Sequence, residues 1–148
     1  MGDFQRAGHM DVSNTVDLSD PVMVAAVVTR ILATCYPGAD LSPLAILFHD
    51  CNRLYSGSYP GYRACDVRYH NAQHVLDVTL AMARLLDGYE RSRAPEDALG
   101  VDLAMTGIAA ALYVHLVPFP VDDGRAGLIG FGNQRLAGGA VHANEVVV

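Results

Sequence analysis

Basic residues are in short supply in this 148-residue chain: 10 Lys and Arg stand against 16 Asp and Glu, for a formal net charge of −6. A broad cationic footprint for nucleic acid or an anionic membrane surface is therefore not expected. Charged residues of both signs reach only 18%, while 51% are hydrophobic, which excludes an intrinsically disordered composition and favours a packed domain. The 3 cysteines, Cys35, Cys51 and Cys65, are odd in number and share no CxxC spacing, so neither a disulfide framework nor a zinc knuckle is indicated. No signal-peptide pattern opens the chain, and Arg6 stands where a myristoylation motif wants Ser or Thr. The apolar stretch Val22 to Val28 is far short of the ~20 residues that span a bilayer. These absences set a cytoplasmic location as the expectation. No internal repeat is found.

Punctuation along the chain predicts four helices after a polar, disordered leader over residues 1–19. Asp20-Pro21 is an N-cap followed by proline at the first helical position, and the apolar stretch it opens stops at Pro37-Gly38. Ser42-Pro43 repeats that signal, with Gly57 as the stop after Tyr55. A third helix is predicted from Asn71 to Asp87, ended by Gly88, because Val75, Val78, Met82, Leu85 and Leu86 recur at steps of three and four. A fourth, strongly apolar helix covers about Asp97 to Tyr113, and an exposed apolar helix there would favour a homo-oligomer. The fold class expected is therefore all-α, a bundle of about four helices over residues 20–116, with an irregular tail over 117–148 rich in glycine.

The stretch Tyr69-His70-Asn71-Ala72-Gln73-His74-Val75-Leu76-Asp77-Val78 carries the chemistry. Histidines four apart on a helix lie one turn above each other, so both imidazoles reach the same side. Neutral imidazole is a common metal ligand and also suits proton transfer near neutrality. Asp77, three residues after His74, is placed to orient it or to add a carboxylate. By spacing alone, two unremarkable histidines at a helix start remain the plainer alternative.

Tyr-His-Asn-x-x-His-x-x-Asp-Val resembles the signature of the HD/cyclic-nucleotide phosphodiesterase superfamily of metal-dependent phosphohydrolases. The stretches Arg53-Leu54-Tyr55, Tyr59-Pro60-Gly61-Tyr62 and Asp77 to Arg84 are similar to small bacterial HD proteins, over about residues 44–113. The resemblance implies an HD-domain-like bundle and a divalent cation (Mg, Mn, Fe or Zn) as cofactor. It also implies hydrolysis of a nucleotide or related small phosphorylated molecule. His70 would protonate the leaving oxygen and His74 would be the first metal ligand. In that family an approach like Ala109-Ala110-Ala111-Leu112-Tyr113 leads to a His-Asp pair, both of them ligands. This chain reads Val114-His115-Leu116 instead, which leaves His115 as the further candidate ligand and no carboxylate in place. The family also uses a late aspartate from a distant helix as a further ligand, and the expectation is that residues 1–148 stop before that helix. Such an ion activates water and neutralises phosphoryl charge, and catalytic sites usually hold it with three or more protein ligands. Hydrolysis impaired by an incomplete ligand set is the expectation, with a catalytically inactive, ligand- or partner-binding HD-like module as the alternative.

Other acid and imidazole pairs read as structural. His49-Asp50 precedes the motif and its members point apart on a helix, as a surface pair would. Asp122 and Asp123 beside Gly124 are turn residues, and His142 and Glu145 lack context. Tyr55, Tyr59, Tyr62 and Tyr69 either pack their loop onto the helices or line a pocket for a planar group. The break in character after Tyr113 matches a shifted reading frame or truncated gene as well as it matches a divergent tail.

Overall fold

The computed structural model describes residues 8–66, 71–114, 117–120 and 126–129. Its body is all-α, as expected, and holds four helices: α1 (Pro21–Cys35), α2 (Ser42–Ser56), α3 (Ala72–Ser92) and α4 (Val101–Tyr113). Asp20 caps α1 by accepting from the backbone N–H of Val22 and Met23, with Pro21 preset for the first turn. The start of α2 departs from the expected serine cap. Leu41 is its N-cap without a side-chain bond, and Asp40 instead accepts from the Ser42 N–H at 2.9 Å. Gly57 ends α2 in the left-handed region at φ 73°, where glycine avoids the Cβ penalty.

Two boundaries move for physical reasons. α3 passes through Gly88 and runs to Ser92. Asp87 pairs with Arg91 one turn later, and Glu90 accepts both the Tyr36 hydroxyl at 2.8 Å and the Leu99 N–H at 3.0 Å. Those partners outweigh the roughly 1 kcal/mol a helical glycine costs. α4 begins only at Val101, because Pro95–Asp97 forms a separate 3-10 turn and Gly100 at φ 80° breaks the path between them.

One core binds these elements. Val24, Val28 and Leu32 of α1 meet Leu44, Phe48 and Cys51 of α2, Val75, Leu80 and Ala83 of α3, and Ala104, Ile108 and Leu112 of α4. Two core members, Val16 and Leu18, come from the stretch expected to be a disordered leader. From residue 8 onward that stretch is folded, held by an Asp11 side chain that is fully buried. Beyond α4, the tail expected to be irregular contains a short antiparallel ladder of β1 (Val117–Pro120) and β2 (Ala126–Ile129), with Val117 paired to Ile129 and Pro120 to Ala126. No helix among the described residues is long and apolar enough to cross a membrane.

Candidate functional site

Asn71 is the N-cap of α3, as its place in the motif suggests. Its backbone is extended, at φ −88° and ψ 178°, and its Oδ1 accepts from the His74 N–H at 3.0 Å. The side chain that closes the first turn therefore also fixes where His74 starts on the helix. α3 buries Val75, Leu76, Thr79, Leu80, Ala83 and Leu86. With about 100° of rotation per residue, His74 lies roughly opposite that stripe, and Asp77 shares its side of the helix. Both side chains are half-buried.

The far end of α4 returns to the same level. Leu99 bonds Glu90 near the end of α3, and a Cβ on Gly107 would touch the Met82 sulfur at 3.8 Å. The two helices therefore run antiparallel, and continuing that register brings Tyr113 level with Leu76 in the first turns of α3. α2 closes the end of α4 through the Tyr113 hydroxyl, which donates to the Leu47 carbonyl at 3.0 Å. The Cys51 thiol, facing the Leu112 carbonyl at 3.7 Å, is pushed up to about 12 by burial and is no nucleophile at neutral pH.

Of the three candidate site residues, the described structure holds His74 alone; His70 and His115 lie outside it. Asp122, Asp123, His142, Glu145 and Tyr69 are also outside the described residues. Among the described residues no group of three or more His, Cys, Asp or Glu is arranged to hold a metal ion. His74 and Asp77 by themselves do not make a metal centre, so a bound ion needs ligands from elsewhere in the chain.

His49 is exposed, while Asp50 lies within 3.8 Å of Arg53, consistent with the surface reading of that pair. The tyrosine loop divides its roles. Tyr59 and Tyr62 meet edge to face at 5.7 Å, with the Arg53 guanidinium 5.1 Å over Tyr59, whereas Tyr55 enters the core.

A cavity of about 360 Å³ opens where the start of α1, the end of α2 and the start of α3 converge. Its polar rim includes Asn52, Ser56, Asn71 and Gln73, over apolar walls that include Leu18 and Leu76. His74 is not in its wall, since it occupies another side of α3. A second cavity of about 280 Å³ shares Pro21 and Asn52 with it and reaches His49. Sequence reading missed the first cavity because its wall comes from four separate stretches. Asn71, Ala72, Gln73 and Leu76 belong to the motif stretch, but nothing in the sequence joins them to the other three stretches. No family model, curated protein or solved structure matches the chain.

Proposed function

We propose that this chain is an HD/phosphodiesterase-type helical domain that hydrolyses a nucleotide or related phosphoester with a divalent cation, and that its turnover is impaired by an incomplete ligand set. One observation carries this reading. The His-Asn-x-x-His-x-x-Asp pattern opens a helix, Asn71 is its cap, and His74 and Asp77 share a side of α3 away from the core. The register that brings the end of α4 level with the first turns of α3 supports His115 as a second ligand, although it matches the family's pair only after a one-residue slip or in place of its aspartate. His70 is the proposed proton donor to the leaving oxygen.

The test is hydrolysis of a panel of nucleotides and bis(p-nitrophenyl) phosphate by the purified chain, with Mn²⁺, Mg²⁺ or Zn²⁺ supplied. Slow, cation-dependent product release is expected. His74→Ala should abolish it, and His70→Ala should lower it by roughly 10²-fold, the lower range for loss of a general acid. No turnover with any cation would rule out the hydrolase.

Exposed apolar side chains favour a second reading, a non-hydrolytic module that pairs with a partner or another copy. Leu85 is 69% exposed, Leu103 61% and Val114 55%. Light scattering that reports a monomer at all concentrations would count against self-association through these residues.

A further inference from the structure

The cavity of about 360 Å³ at the start of α3 has a wall with unusual chemistry. Its volume falls within the range of small-molecule sites. Among its described lining residues no side chain carries a charge, yet the carboxamides of Asn52 and Gln73 stand there with the Ser19 and Ser56 hydroxyls. Gln73 donates through its Nε2 to the Gly8 carbonyl, which leaves its Oε1 as an acceptor. Leu18, Pro21 and Leu76 add apolar contact to the same wall.

Tyr55 adds an independent observation. Its side chain lines the cavity and is only 6% exposed, and its hydroxyl is buried without a hydrogen-bond partner. Native proteins leave few buried polar atoms unpaired, and each such atom calls for an explanation. Burial holds the hydroxyl protonated, with its pKa pushed up, so it is available as a donor.

We infer that this cavity is a binding site for a small uncharged molecule with an amide or lactam edge, whose carbonyl oxygen accepts from the Tyr55 hydroxyl after a small shift of the ring. Carboxamides match such an edge with one donor and one acceptor, and apolar walls take the rest of the ligand. An anionic ligand would meet no compensating cation among the described lining residues and would enter a chain of net charge −6. The inference does not rest on the hydrolase reading, because the described wall of the cavity does not include His74.

Calorimetric titration of the whole chain with 2-pyridone and nicotinamide tests it, with benzoate as the anionic comparator. The two amides should bind saturably, and benzoate at least tenfold more weakly. Tyr55→Phe should weaken amide binding by about fivefold, the effect of one lost hydrogen bond. Its thermal midpoint should be unchanged or higher, since the lost hydroxyl has no partner to abandon. A second variant, Asn52→Leu at an exposed position, should also weaken binding without loss of fold. Absent binding of both amides, benzoate binding as tight as theirs, or full affinity in Tyr55→Phe would each overturn the inference.

Discussion

Asp11 shows how much one side chain does in this molecule. Its carboxylate is fully buried and accepts from the backbone N–H groups of Ser13 at 3.2 Å, Thr15 at 2.8 Å and Val16 at 2.8 Å. The Ser13 hydroxyl and the Arg84 guanidinium also donate to it. Burial alone would raise its pKa, but these donors outweigh that effect and hold the carboxyl well below the usual carboxylate range. Asn14 takes the left-handed conformation, φ 58°, that lets the chain fold round the carboxylate. Asp11→Asn should destabilise the protein by about 2–3 kcal/mol at pH 7, read from urea unfolding. Arg84 is partly exposed and keeps some solvation, which keeps the loss below that of a fully buried pair. The sign of the pH dependence follows from the lowered value. The contribution is complete above the unfolded value of about 3.9 and is lost as pH falls towards the lower folded value. The stability gap between wild type and Asp11→Asn should therefore narrow from pH 5 to pH 3. A constant gap would show that the ionised form is not what stabilises the turn.

Helix ends carry the predictions at the next scale. Gly57 and Gly38 both have positive φ, at 73° and 81°, but differ in their surroundings. A Cβ on Gly57 would lie 2.4 Å from the Ala64 backbone nitrogen, whereas one on Gly38 meets nothing within 4 Å. Gly38→Ala should cost about 1 kcal/mol of left-handed strain, and Gly57→Ala at least about 2 kcal/mol because backbone must also move. Comparing their denaturation midpoints checks this, and equal losses would mean the loop after α2 yields freely. Asn71→Ala removes the cap of α3 and should cost about 1 kcal/mol, while Asn71→Asp should keep nearly all of it. Helix existence was legible because apolar spacing and Pro, Gly and Asx punctuation act locally. The end of α3 was not legible at Gly88, since the groups that extend it, Tyr36 and Leu99, are brought in by tertiary packing.

Across the whole molecule, long-range partners explain what sequence reading left out. Val16 and Leu18 sit in a stretch too short and polar to show a period, yet both complete the core. Asp11 looks like a leader residue until Arg84, 73 positions away, is packed beside it. The His74 side of α3 was legible, because positions 74 and 77 need only helical geometry to align; the expected one-turn spacing from position 70 does not apply, since α3 begins at Ala72 after an extended Asn71. The cavity was not legible, because Leu18, Asn52 and Gln73 meet only in the folded bundle. The functional account now rests on whether a cation binds on the His74 side of α3. Titration of the purified chain with Mn²⁺, followed by electron paramagnetic resonance, measures that directly. The account predicts weak, saturable uptake of one ion per chain, lost in His74→Ala while the unfolding midpoint stays the same. No uptake by the wild type, or equal uptake by the variant, would contradict it.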